Sequence, residues 1–141
     1  MRLALWQGTS PAADLDRASS EAEAALAAAA AMGASALVLP EVWLPGYNQP
    51  DIPDRALPLD SPLMRRLADA ARHTRTALIT GYAERDGGRI FNSAACFGPD
   101  GVVLANHRKL QLYGPRERAI YTPGDTYTTF RLGEEIVAIL I

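Results

Sequence analysis

Residues 37–47 read LVLPEVWLPGY, and three apolar side chains in this stretch run directly into Pro40 and Glu41. A short apolar run that ends at a proline predicts a buried strand of an α/β sheet. Such sheets bind their ligands beyond the carboxyl ends of the strands, where Glu41 would lie. Pro40 restricts its own φ and the conformation of the residue before it, so the backbone that carries Glu41 is stiff. The stretch therefore predicts a sheet strand with a carboxylate held at its end.

Glu41 is followed by Trp43, Pro45 and Tyr47, which can exclude water from its carboxylate. A positioned carboxylate in a water-poor pocket suits a general base. The alternative is a glutamate that caps a helix or forms a surface ion pair. The residue types of this stretch alone leave both alternatives open.

The composition is that of a globular protein. The chain has 141 residues, 48% hydrophobic and 21% charged, which fits one domain with a real core. A net charge of −2 and a pI near 5.6 give no electrostatic reason to bind nucleic acid or an anionic membrane. The first apolar stretch, Leu3 to Trp6, is far too short for a signal peptide core, and no apolar run reaches the length of a membrane span. The single cysteine excludes an internal disulfide and fits a reducing compartment, so we expect a cytoplasmic protein.

The residues before this stretch predict a strand–helix–strand unit. After a first apolar run, residues 11–32 place apolar side chains alternately three and four apart, which is typical of a helix. Ser10 or Thr9 would cap its start, and Gly33 would end it. Residues 34–39 then form the second strand. The two strands should be parallel, with a right-handed crossover.

The residues after it predict two hairpins. A proline-rich surface loop at 48–59 leads into a second helix that begins at Ser61. Strands at 77–82, 90–97 and 102–105 are separated by glycine-rich turns. Antiparallel strands that follow a parallel unit predict a mixed sheet.

Residues 107–124 read HRKLQLYGPRERAIYTPG and are dense in cations, aromatics and turn residues. They lack strand alternation and predict a loop. Lys109 closely follows a strand and can be held rigidly, while Glu117 lies beyond a Gly-Pro turn that would fold the loop back. The alternative is a solvated basic loop. His107 has no second His or Cys at metal-ligand spacing, so no metal site is predicted.

Residues 127–132 and 135–141 predict a final strand pair, and the last six residues, IVAILI, are all apolar. Domain termini normally lie at the surface. We therefore expect residues 1–141 to be the N-terminal part of a single domain that continues in a longer chain.

Three blocks of the sequence resemble the nitrilase superfamily of carbon–nitrogen hydrolases over essentially the whole of residues 1–141. They are LPEVWLPGY, FNSAACFGPDGVVLANHRKLQLYGPRE and the PGD that precedes the final strand pair. The resemblance implies an α/β fold, the α-β-β-α sandwich with a mixed sheet, here incomplete at its C-terminal side. It also implies a Glu–Lys–Cys triad without cofactor or metal. Glu41 matches the general base, Lys109 the lysine, and Glu117 a second glutamate that many members carry.

The resemblance places the nucleophilic cysteine just after Ile141. Cys96 lies upstream of Lys109, inside a predicted strand, and is expected to be a small inert core residue. Three aromatic residues are the candidates for substrate contact: Trp43, Tyr47 and Tyr113.

The function implied by the resemblance is hydrolysis of non-peptide carbon–nitrogen bonds, of amides before nitriles. A thioester route would release ammonia or an amine and a carboxylic acid. The expected partner is a small-molecule amide or nitrile, and family habit implies a homo-oligomer. The alternative function is a non-catalytic nitrilase-like scaffold that binds a small ligand or a protein partner.

Overall fold

A computed structural model describes residues 1–141, and its central feature is a five-stranded sheet in the order β1-β2-β3-β4-β5. The strands are β1 Leu3–Leu5, β2 Ala36–Val38, β3 Ala77–Asp86, β4 Arg89–Phe97 and β5 Val103–Arg108. β1, β2 and β3 pair in parallel, whereas β3, β4 and β5 pair antiparallel. The predicted mixed sheet is therefore confirmed.

Four helices and a second strand pair surround this sheet. They are α1 Leu15–Ala31, α2 Ile52–Arg55, α3 Pro62–Thr74, α4 Gly114–Ile120, β6 Thr128–Leu132 and β7 Glu135–Ile139. The chain thus supplies a helical layer, a five-stranded sheet and a β-hairpin. None of the helices is long and apolar enough to cross a membrane.

The sheet carries a hydrophobic core on each face. On one face, α1 and α3 bury Leu26 and Leu67 against Leu78 of β3. On the other face, the β6–β7 hairpin packs Phe130 and Ile139 against the sheet. Full burial of one such side chain stabilises the fold by about 1.5–3 kcal/mol. Apolar packing on both of its faces therefore stabilises the sheet.

The first helix begins later than predicted. Ala12 and Ala13 have φ values of 32° and 63°, which a helix cannot include. Asp14 caps the helix instead, because its side chain accepts a hydrogen bond from the Arg17 N–H at 2.9 Å. The predicted cap at Ser10 or Thr9 is therefore wrong. The predicted end is confirmed, since Gly33 follows the helix with φ 69°.

Two strands run further than predicted, past the expected ends at residues 82 and 105. The added residues include polar side chains, which form hydrogen bonds and ion pairs with one another on the helix-side face of the sheet. Arg108 of β5 forms a two-pronged ion pair with Glu84 of β3, at 2.6 and 2.9 Å. Ser93 of β4 donates to the same carboxylate at 2.6 Å. Long-range pairing thus extends strands that local composition would end.

The segment predicted as a loop at 107–124 contains the two-turn helix α4, so that prediction is wrong for residues 114–120. Pro115 lies near the start of α4, where its missing N–H costs nothing. The Glu117 side chain accepts the Tyr113 backbone N–H at 2.6 Å and closes the first turn. Arg116 ties the helix to the 48–49 loop through the Asn48 side chain at 2.9 Å. Contacts from distant residues therefore stabilise this short helix.

Candidate active site

Glu41 lies in a tight bend that crosses directly over β3. The bend is fixed by backbone hydrogen bonds from Leu39 N–H to Ile79 O at 2.8 Å and from Leu44 N–H to Gly81 O at 3.2 Å. Gly81 lies beneath the bend, where a Cβ would come within 2.8 Å of the Glu41 Cα and would also touch Pro40. Only glycine allows this approach. Gly81 therefore sets the position of the Glu41 backbone.

Replacing Gly81 by alanine should displace this bend. The added methyl group overlaps backbone atoms that cannot rotate away, so we expect Gly81→Ala to reduce the free energy of unfolding by about 1–3 kcal/mol. Urea unfolding measures this loss. Gly8→Ala is the control, since its Cβ would meet only the Trp6 ring, at 3.1 Å. Equal stability of the two variants would contradict the role given to Gly81.

Lys109 directly follows β5 and is the only lysine among the 14 lysine and arginine residues of the chain. Its backbone N–H donates to Asn92 O at 2.8 Å, and its carbonyl accepts from the Gly124 N–H at 2.8 Å. Its ammonium lies 2.6 Å from Glu41 Oε1 and 3.0 Å from Glu117 Oε1. An ammonium is a compact point charge, unlike the planar guanidinium. That the one lysine of the chain lies at this position is a signal in the sequence that the motif comparison did not use.

Glu117 completes this cluster from the first turn of α4. Its Oε1 accepts both Lys109 Nζ and the Tyr47 hydroxyl, the latter at 2.7 Å. Its Oε2 accepts the Tyr113 backbone N–H. The structure thus brings Glu41 together with Lys109 and Glu117, which lie about 70 positions further along the sequence.

Burial and charge act in opposite directions in the cluster. Lys109 is 7% exposed and Glu117 is 3% exposed. Burial opposes the charge of Lys109, but hydrogen bonds to the two carboxylates outweigh it and raise the pKa of Lys109. Burial likewise opposes the charge of Glu117, but the donors from Tyr113, Tyr47 and Lys109 lower the pKa of Glu117. Both groups are therefore charged at neutral pH.

A fourth polar residue, which sequence reasoning missed, also contacts the cluster. Asn92 of β4 is fully buried, and its Nδ2 donates to Glu41 Oε1 at 2.7 Å. The available signal was a lone amide in a strand whose neighbours on that face, Ala94 and Cys96, are small and apolar.

The three aromatic candidates for substrate contact lie in three different places. The positive φ of Val42, 45°, turns the chain between Glu41 and Trp43. Trp43 therefore packs in the helix-side core, where its Nε1 donates to Ala18 O at 3.2 Å. Trp43 therefore anchors the loop rather than bordering the carboxylate, which corrects the prediction. Tyr47 contacts the cluster through Glu117. The Tyr113 side chain is 79% exposed and meets the cluster through its backbone N–H only.

Cys96 and His107 lie under the β6–β7 hairpin. Cys96 is buried, and burial raises the pKa of its thiol to about 12. It lies four residues from Asn92 along β4, about 13 Å at the usual rise of a strand. His107 is buried against Thr128, with Nδ1 3.1 Å from its hydroxyl. Neither residue contacts the Glu41–Lys109–Glu117 cluster, and no group of three or more His, Cys, Asp or Glu side chains could hold a metal ion.

A cavity of about 330 Å³ opens beside Glu41. Its walls come from the end of β2 and the bend after it, from β3 and β4, and from residues 139–141. They are mostly apolar: Val38, Leu39, Pro40, Ile79, Gly81, Ala94, Ile139, Leu140 and Ile141. A small apolar cavity with one carboxylate at its wall fits a small ligand with a polar reacting group.

The fold agrees with that of known proteins. The chain is 30% identical to a crystal structure of an amidase from Nesterenkonia sp., with a TM-score of 0.89 over 99% of this chain and 54% of that one. Similar structures of the amidase from Nesterenkonia sp. AN1, a member of the nitrilase superfamily, hold acrylamide or butyramide, and one shows acrylamide added to its active site cysteine. The shared architecture is the nitrilase fold.

Similar sequences include amidases and nitrilases. The omega-amidase of Mus musculus is 32% identical over 111 residues, which are 72% of this chain and 40% of that protein. A nitrilase from Pyrococcus abyssi is 34% identical over 131 residues, 89% of this chain and 49% of that protein. The chain thus spans about half the length of these relatives. Residues 2–141 match the family of carbon–nitrogen hydrolases. The chain therefore belongs to the carbon–nitrogen hydrolase family, the nitrilase superfamily.

Proposed function

We propose that the protein to which residues 1–141 belong hydrolyses the carbon–nitrogen bond of small non-peptide amides. The observation that carries the proposal is the ion-pair cluster in which Lys109 Nζ lies 2.6 Å from Glu41 and 3.0 Å from Glu117, beside an apolar cavity. In the proposal, Glu41 is the general base, Lys109 stabilises the transition state and Glu117 positions Lys109.

The nucleophile in this proposal is a cysteine that follows Ile141. The positions of Ile139, Leu140 and Ile141 support it, because these residues line the cavity beside Glu41. A thiol is a weak nucleophile until it is deprotonated. Glu41 takes the thiol proton, and the sulfur attacks the amide carbon, which places a negative charge on the carbonyl oxygen.

Lys109 stabilises that oxygen. An ammonium has three N–H donors, and two of them are used by Glu41 and Glu117. The third is free to donate to the substrate oxygen as its charge develops. Donors of this kind contribute about 3 kcal/mol to the stability of a transition state. The position of Lys109 therefore suits the acyl-transfer step.

Glu41 then gives its proton to the departing nitrogen, so the carbon–nitrogen bond breaks and a thioester remains. Water attacks the thioester after Glu41 takes one of its protons, and that proton returns to the thiolate as the acid leaves. The net reaction consumes one water and releases an amine or ammonia and a carboxylic acid. One carboxylate serves every step.

Both oxygens of Glu117 already accept hydrogen bonds from the protein, whereas Oε2 of Glu41 accepts none. The buried charge of Glu117 instead holds Lys109 protonated and in place. Tyr47 is the phenol that fixes Glu117 in turn. These contacts support a positioning role for Glu117.

We favour amides over nitriles as substrates. The cavity beside Glu41 is small and mostly apolar, which suits a short aliphatic acyl group. Similar solved structures include an amidase whose variants hold acrylamide or butyramide. The amides of short aliphatic acids are therefore the first substrates to try.

Residues 1–141 are, in this proposal, the N-terminal part of a single domain and are inactive alone, because they lack a cysteine at the Glu41 cavity. The half-length match to relatives supports this assignment. Two exposed apolar side chains, Ile136 on β7 and Leu140 directly after it, support it as well. We further propose a cytoplasmic homo-oligomer, which sedimentation of the full-length protein and fractionation of its cells can test.

Ammonia release from short aliphatic amides by the full-length protein tests the function. We expect turnover, and we expect mass spectrometry to find an acrylamide adduct on a cysteine after Ile141. Cys96→Ser should retain most activity and cost about 1 kcal/mol of stability, as a small core change. Loss of turnover in Cys96→Ser without unfolding, or an adduct on Cys96, would contradict the assignment.

A further inference from the structure

Asn92 makes contacts that the reaction steps above do not use. Its backbone carbonyl accepts the Lys109 N–H at 2.8 Å, and its side-chain Nδ2 donates to Glu41 Oε1 at 2.7 Å. One residue of β4 is thus bonded to both the base and the lysine. Because Asn92 is fully buried in the middle of the sheet, its side chain has little freedom to move.

The two oxygens of Glu41 are unlike each other. Oε1 accepts two hydrogen bonds, from Lys109 Nζ at 2.6 Å and from Asn92 Nδ2 at 2.7 Å. No protein group donates to Oε2. Two donors on one oxygen fix the rotation of the carboxylate. The free Oε2 is the oxygen left for proton transfer.

The fold itself gains little from an asparagine at this position. Asn92 Oδ1 is buried without a hydrogen-bond partner. A buried acceptor without a donor destabilises a protein, and an apolar side chain of similar size would remove that cost. Residues that break a local rule of stability are expected at functional sites. The unpaired Oδ1 therefore favours a functional reason for Asn92.

We propose that Asn92 is a positioning residue, which holds Glu41 through Oε1 so that Oε2 alone exchanges protons with the nucleophile, the departing nitrogen and water. The inference rests on the proposed function and deepens it. No new group enters the reaction: Oε2 takes the thiol proton, gives it to the nitrogen, and later takes and returns a proton of water. Asn92 acts only through Glu41.

The charged and titratable groups around Glu41 make this role testable by pH. They are Lys109 after β5, Glu117 in α4, Tyr47 in the loop after β2 and Tyr121 after α4. β4 contributes only the uncharged side chain of Asn92 to the surroundings of Glu41. An aspartate at this position would place a second carboxylate against Glu41. Two adjacent carboxylates resist full ionisation, so the pair retains a proton to higher pH.

Two substitutions in the full-length protein test the role. Asn92→Leu removes the donor at similar size, and we expect kcat to fall about 10- to 100-fold with little change in KM. Asn92→Asp should move the acid limb of the pH profile of kcat/KM upward by about one pH unit or more. The shift is upward because a base with a higher pKa becomes protonated, and therefore inactive, at a higher pH as the pH is lowered.

The controls are Asn106→Leu and Asn106→Asp. Asn106 lies in the neighbouring strand β5 but faces the helix side, where it accepts from the Tyr82 hydroxyl at 3.0 Å. These variants should alter stability but leave the acid limb in place. A merely structural role of Asn92 would give the same pattern as Asn106.

The outcomes separate the inference from the proposed function. If the wild type hydrolyses amides and both Asn92 variants keep its kcat and its acid limb, the inference is wrong and the function stands. If the wild type releases no ammonia, the function fails, and carbon-13 NMR then follows the titration of Glu41 without turnover. In that case an unchanged titration in Asn92→Asp would overturn the inference, and an upward shift would support it.

Discussion

Glu41→Gln in the full-length protein is expected to lower kcat for amide hydrolysis by about 100-fold or more, the usual loss of a general base. Glutamine keeps the shape of the side chain and an oxygen that can accept from Lys109 and Asn92. It lacks the basic oxygen that takes the thiol proton in the proposed reaction. The loss should therefore appear in the chemical step, which single-turnover acylation measures directly.

The matched control for this variant is Glu23→Gln. Glu23 on α1 pairs with Arg66 on α3 at 2.6 Å, and its side chain is as exposed as that of Glu41, 33% against 36%. It lies on the helical layer, away from the cavity, so kcat should remain near that of the wild type. Near-parental turnover of Glu41→Gln with an unchanged melting curve would remove Glu41 from the role of base.

The sequence predicted the two stretches that build the site because their chemistry is local. The apolar run into Pro40 and Glu41 marks the end of β2, and Lys109 closely follows the strand predicted at 102–105, which the structure extends to Arg108. The sequence could not show that Glu117 reaches back to Lys109 from a helix. That helix depends on Glu117 and Arg116 contacting residues about 70 positions away, which local propensity does not contain.

The errors around Glu41 have a similar cause. Alternation along an extended loop would place Trp43 beside the carboxylate. The positive φ of Val42 instead turns the chain between the two residues, and Gly81 makes room for that turn. Asn92 was missed because its amide can donate to Glu41 only when the folded chain places β4 beside the bend that carries Glu41. Such juxtapositions depend on the tertiary structure, and their components are not adjacent in the sequence.

The second large effect is expected from Lys109→Met. The substitution keeps the length of the side chain but leaves Glu41 and the buried Glu117 without their cation. Loss of the donor to the substrate oxygen should lower kcat by about 100- to 1,000-fold. The uncompensated carboxylate should also reduce the free energy of unfolding by about 3 kcal/mol. Steady-state kinetics and urea unfolding of the full-length protein measure the two losses.

The loss of stability should depend on pH in a defined way. The pKa of Glu117 is lowered from its usual 4.5, so its contribution is complete above pH 4.5 and disappears as the pH falls through the lower folded value. The pKa of Lys109 is raised from its usual 10.5, so its contribution is complete below pH 10.5 and disappears as the pH rises through the higher folded value. The stability difference between wild type and Lys109→Met should therefore be largest between these limits and shrink on both sides.

Arg108→Met separates the two consequences of losing Lys109. Arg108 is the preceding residue and pairs with Glu84, a glutamate as buried as Glu117, but on the opposite face of the sheet. Its loss should cost a similar amount of stability, because a buried carboxylate again loses its cation. It removes no donor from the cavity, so kcat should fall far less than in Lys109→Met. Equal losses of kcat in the two variants would mean that Lys109 acts through the fold, and the role of transition-state stabiliser would have to be abandoned.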